Sequence, residues 1–161
     1  MTVIAVTGHM DLTEESVTLV RGALEVLLAD HIEHGLTGVS CIAKGADSIF
    51  ADVVLSLGGR LVAVVPSADY RQAKVKPAFA AEFDRLRQAA AEVVVMPFAE
   101  ANREAYEAAN TELLRRADHL FAVWDGNPGN GRGGTADTVA AARAAQVPVT
   151  VVWPEGAVRA G

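Results

Sequence analysis

The residues best suited to chemistry in this chain crowd into one stretch. Asn127-Pro128-Gly129-Asn130-Gly131-Arg132-Gly133-Gly134-Thr135 runs directly into Ala136-Asp137-Thr138-Val139-Ala140. Consecutive glycines leave backbone N–H groups unshielded, and a helix that starts after them turns its positive end to the same place. Gly133 and Gly134 admit close approach of a ligand, Arg132 offers a two-pronged grip on phosphate, and Thr135 adds a hydroxyl donor. The plainer alternative is a turn in which Thr135 caps the helix.

Lys44-Gly45-Ala46-Asp47 repeats this logic on a smaller scale. Gly45 and Ala46 open a helix, Lys44 can neutralise an anion, and Asp47 reads as an N-cap or first-turn carboxylate. Thr7-Gly8-His9 and Trp124-Asp125-Gly126 also leave apolar runs through a glycine. His9 is a ligand contact, an acid or base, or a surface histidine. Asn110 shares a helical face with Tyr106, Leu113, Leu114 and Ala117. An amide on such a stripe needs partners, either by tying loops together or by meeting the ligand. Asp125, Asp137 and Asp47 are the carboxylates available for catalysis, against ordinary capping and loop-closing roles.

The elements that must position these residues alternate along the whole chain. Strands are expected at Val3–Thr7, Gly38–Ala43, Arg60–Pro66, Glu92–Pro97, His119–Asp125 and Val147–Trp153. Most are continuous and β-branched, as in strands buried on both faces. Helices are expected from Asp11 or Thr13, from Ala46-Asp47 to Gly58-Gly59, over Phe79–Ala90 and Asn102–Ala117, and from Gly134 to Ala145. Strand–helix alternation predicts an α/β, Rossmann-like doubly wound sheet, mostly parallel, of about six strands with helices on both faces. Its ligands bind beyond the carboxyl ends of the strands, so Pro66-Ser67-Ala68-Asp69-Tyr70-Arg71 joins the other exit loops as site material. A length of 161 residues fits a single domain, 1–161, with its core over about 3–154.

Composition removes several classes. The net charge of −6 argues against general nucleic-acid binding, which needs clustered cations. The one cysteine, Cys41 in Val39-Ser40-Cys41-Ile42, forms no disulfide framework and reads as a small buried hydrophobe. No apolar run reaches the roughly 20 residues of a spanning helix, and Met1 leads into Thr2-Val3-Ile4-Ala5-Val6 without a secretory pattern. A cytoplasmic protein without membrane contact is expected. His31-Ile32-Glu33-His34 has helical spacing but reads as a solvated helix end, and no metal site or cofactor motif is present.

The succession V-T-G-H, A-K-G-A-D, N-T-E-L-L-R-R-A-D and A-V-W-D-G…G-R-G-G-T-A-D, from Val3 to about Pro154, resembles the SLOG superfamily. That group joins DprA-like and LOG-like Rossmannoid domains, including the YpsA-type and "lysine decarboxylase-like" proteins. The resemblance implies a nucleotide or nucleotide-derived ligand across the Gly8, Gly45 and Gly133–Thr135 loops, and a homodimer or larger assembly. LOG-like members hydrolyse nucleoside 5′-monophosphates through a motif P-G-G-x-G-T-x-x-E. Here Gly131-Arg132-Gly133 replaces its start and Thr138 stands at the position of its Glu. Asp137 lies one residue earlier, about 100° away on a helix. A nucleotide binder or sensor is therefore the expected function, with phosphoribohydrolysis as the alternative. Single-strand DNA binding, known on the DprA side of the family, fits the acidic composition least.

Overall fold

The computed structural model describes residues 1–128 and 134–160. Six parallel strands form one sheet: β1 (Thr2–Gly8), β2 (Leu36–Ser40), β3 (Arg60–Val65), β4 (Glu92–Val95), β5 (His119–Val123) and β6 (Val149–Val151), in the order β4-β3-β2-β1-β5-β6. The chain builds outward from β1 to β4. It then returns across the sheet to lay β5 on the other side of β1, in register from Ile4 opposite His119 to Gly8 opposite Val123. The order reverses between β1 and β5, which makes their carboxyl ends the switch point of the fold.

Helices α1 (Glu14–Ala29), α2 (Ala46–Ser56), α3 (Tyr70–Lys74), α4 (Pro77–Ala89), α5 (Arg103–Arg116) and α6 (Thr135–Ala144) connect the strands. Alternation along β1 divides the core. Ile4 and Val6 face Val20, Leu24 and Leu28 of α1 and Phe50, Val53 and Val54 of α2. Ala5 faces Ala109 and Leu113 of α5 and Ala142 of α6. A third cluster packs Leu61, Ala63 and Val65 of β3 against Phe83 and Leu86 of α4. This is the doubly wound arrangement expected from the sequence. No helix among the described residues is long and apolar enough to cross a membrane.

Several boundaries differ for identifiable reasons. Strand β2 ends at Ser40, not Ala43: the Ser40 hydroxyl accepts the Ile42 N–H at 3.0 Å, and Ile42 turns to φ +50°. Only Glu92–Val95 of the fourth expected strand pairs, and as an edge strand it leaves Val93 and Val95 exposed. The last strand is also short, and Val151 is exposed. The Pro66–Arg71 loop is partly helical, since Tyr70 begins α3. Pro77 takes the first position of α4, ahead of the expected Phe79, where its missing N–H costs nothing. Thr13, not Asp11, caps α1 by accepting the Ser16 N–H. His31 and His34 flank and end a short 3-10 turn at Ile32–His34.

The segment beyond Pro154, outside the expected core, is packed. The fully buried Ser16 hydroxyl donates to the Val158 carbonyl at 2.9 Å and accepts the Val158 N–H at 2.7 Å. Leu12 and Arg159 form an antiparallel bridge, and the Ala160 N–H reaches the Asp11 carbonyl at 2.7 Å. Residues 155–160 thus cross the exit of β1.

Candidate functional site

Gly8 ends β1 where α2 begins. A Cβ at Gly8 would stand 2.5 Å from the Ala46 Cβ and 2.8 Å from the Val123 carbonyl oxygen, so only glycine lets strand and helix meet. The His9 carbonyl accepts the Ala46 N–H at 3.1 Å, and the Ala43 carbonyl accepts that of Ser48. Two early donors of α2 are therefore spent within the protein. Gly45 and Ala46 serve as scaffold, contrary to the expectation of a second anion-binding helix start.

Above the switch point opens a cleft of about 530 Å³. Thr7, Gly8 and His9 line it from β1, Asp47 from α2, Tyr106 and Asn110 from α5, and Gly134, Thr135 and Ala136 from the start of α6. The first N–H groups of a helix lack intrahelical partners, and at α6 two of their residues, Thr135 and Ala136, line the cleft wall. Thr138 is buried in the same wall, its hydroxyl turned to the Gly134 carbonyl at 3.3 Å. Gly131, Arg132 and Gly133 lie outside the described residues. Lys44 is exposed and bounds a smaller neighbouring cavity of about 230 Å³.

The three carboxylates part company. Asp125 does not line the cleft; its Oδ1 accepts the Asn127 N–H at 2.9 Å, and that backbone bond first of all holds its pKa down. It closes a turn that continues through exposed Gly126 at φ +86°. Asp137 is exposed on α6 and also lies off the cleft wall. Asp47 lines the cleft and makes no capping bond, since Gly45 holds the N-cap position. Burial raises its carboxyl to about 7 against the pull of a backbone hydrogen bond at Ala43. An acid of that strength exchanges protons near neutrality.

His9 accepts the Asp125 N–H at its Nε2, 3.1 Å away, and stands edge-on to Trp153. Accepting there requires an unprotonated Nε2. Burial and then the Arg159 charge lower the His9 pKa, outweighing Asp125, whose Oδ1 lies 3.3 Å from the same nitrogen. That contact is consequently no ion pair at neutral pH. The Asn110 amide lines the cleft and forms no hydrogen bond among the described residues.

Cys41 corrects another expectation. It is half-buried and lines the cleft, while desolvation keeps its thiol protonated. Arg159, Lys74 and Asp11 complete the charged rim. Arg159 escaped the sequence reading because the Ser16–Val158 pairing that delivers it spans 142 positions. Tyr70 was in an expected exit loop; its place on a helix beside Tyr106, ring centroids 6.4 Å apart, depends on tertiary packing.

These features define a Rossmann-like α/β domain with an open cleft at its switch point. No family model and no curated protein matches the sequence. Solved structures do. DNA processing protein A from Streptococcus pneumoniae has a TM-score of 0.71 at 18% identity, over 94% of this chain and 50% of that one. The same protein from Helicobacter pylori gives 0.67 at 18%, over 93% and 64%. The molybdenum cofactor binding protein from Rippkaea orientalis gives 0.59 at 18%, over 93% and 75%. The chain thus spans only about half to two thirds of the two DNA processing proteins. This chain shares the fold of these proteins.

Proposed function

We propose that this protein binds a nucleotide or nucleotide-derived, phosphate-bearing small molecule in the switch-point cleft. One observation carries the reading: a cleft of about 530 Å³ bounded by the start of α6, with Lys74 and Arg159 on its wall. That size falls within the usual range for small-molecule sites. The helix start and the two cations supply what a phosphate needs, and the Gly131–Gly133 segment with Arg132 leads into the same helix. Proteins of this fold are described as binding the molybdenum cofactor and single-stranded DNA. The net charge of −6 favours a small ligand over a polyanion.

A thermal-shift panel of nucleoside monophosphates tests this. A ligand at about 100 times its Kd adds about 2.7 kcal/mol, and a phosphate-bearing compound is expected to raise the melting temperature well above its parent nucleoside. Absence of any such shift would overturn the reading. Arg159→Ala is expected to weaken the monophosphate about 10-fold and leave the nucleoside unchanged. Equal loss for both would remove Arg159 from phosphate binding.

The raised pKa of Asp47 favours one second reading, hydrolysis of a nucleoside monophosphate at its N-glycosidic bond. A carboxyl that carries a proton near pH 7 can protonate the leaving base as the C1′–N bond breaks, while a water adds its oxygen to C1′ and releases a proton that returns to the ionised carboxylate through solvent. Chromatography of incubated monophosphates decides it: free base formed by the wild type and not by Asp47→Asn establishes turnover, and no free base leaves a binding protein.

A further inference from the structure

The cleft is not chemically uniform. The start of α6 contributes backbone and hydroxyl donors, whereas the α2–α3–α5 side contributes Cys41, Tyr70, Tyr106 and the Asp47 carboxyl. Asp47 is near enough to Tyr70 and Cys41 for its charge to act on both. Among the described residues no cation pairs with it, and its carboxyl accepts a backbone hydrogen bond at Ala43. A carboxylate has about four acceptor positions, so most of its capacity is unspent. In its ionised form such a group only accepts, and beside aromatic rings on a cavity wall it calls for a ligand edge made of N–H donors.

Resting on the nucleotide reading above, we propose that Asp47 selects the ring of the ligand. Its two oxygens accept adjacent N–H donors from a 2-amino-4-oxopyrimidine edge, the edge shared by guanine and the pterins, with the ring seated against Tyr106 and Tyr70. Guanine presents a ring N–H and an amino group side by side. Hypoxanthine presents the ring N–H alone. Adenine turns a ring nitrogen lone pair toward the same position and is repelled by a carboxylate. Donors from the ligand replace the solvation that Asp47 loses in the cleft, and its high proton affinity when the cleft is empty agrees with that unmet demand.

Isothermal titration of the full chain at pH 8, where the carboxyl is ionised, tests the assignment with GMP, IMP, AMP and dihydroneopterin monophosphate. GMP is expected to bind at least about 10-fold more tightly than AMP, with IMP between, as befits hydrogen bonds to a charged group. Asp47→Asn is expected to erase that order while melting no lower than the wild type. The pterin phosphate separates the two sources of the edge: whichever of it and GMP binds more tightly names the ligand class. Equal affinities for GMP, IMP and AMP in the wild type, or an order that survives in Asp47→Asn, overturns the role of Asp47 and leaves the nucleotide reading standing. Failure of all four compounds to bind overturns both.

Discussion

At pH 8 the Asp47→Asn protein is expected to be more stable than the wild type, by on the order of 3 kcal/mol. At pH 4 the two are expected to unfold alike. The folded carboxyl titrates near 7 because burial disfavours its charge, against 3.8 for the ordinary group. Between those values the folded protein retains a proton that the unfolded chain has released. Stability therefore falls as pH rises through that window, and asparagine, which has no proton to lose, removes the loss. The charged and titratable groups of the same cleft are Cys41, Tyr70, His9, Asp11, Lys74, Tyr106 and Arg159. The Cys41 thiol and Tyr70 phenol are themselves pushed up by burial and stay neutral over this range. Urea unfolding of both proteins from pH 4 to 8 checks the expectation; parallel stability curves would show that Asp47 is ionised and solvated throughout.

Gly45→Ala is expected to destabilise the fold by about 3–5 kcal/mol, a large share of a typical domain's stability. Gly45 sits at φ +97°, and a Cβ there would lie 2.6 Å from the His9 carbonyl oxygen and 2.7 Å from Met10 Cα. Those are backbone atoms, held by the His9–Ala46 hydrogen bond, so they cannot yield as a side chain would. Gly22 is the matched control. It lies inside α1, and a Cβ there meets nothing within 4 Å. Gly22→Ala is expected to stabilise by about 0.5–1 kcal/mol through helix propensity. Denaturation midpoints that move equally for the two variants would refute the account of the β1–α2 junction.

Much of the fold was legible in the residues. Runs such as Val3–Thr7 and Arg60–Pro66 have no polar alternation, which only strands covered on both faces sustain, and the helical stripes between them supply that cover. Thr7, Gly8, His9, Gly134 and Thr135 line the cleft as expected because the exit loops of a parallel sheet converge, and Asn110 lines it from a helical face whose polar member stood out by its spacing. The roles of individual polar groups were less legible. Asp47 and Asp125 carry the same carboxyl and each follows a glycine-bearing or strand-end turn. One ends as a half-desolvated acid on the cleft wall, the other as an acceptor that closes a loop.

The sequence by itself determined the architecture, the end of the sheet where the cleft opens and the glycines at its turns, because periodicity and backbone freedom are local properties. Only the tertiary structure decided the rest. It spent the early donors of α2 on His9 and Ala43, left the Asn110 amide facing the cleft, and carried Arg159 to the rim through a pairing 142 residues long. Burial, charge and reach are set by whatever the fold brings alongside a side chain, and no local pattern of residues encodes that neighbour.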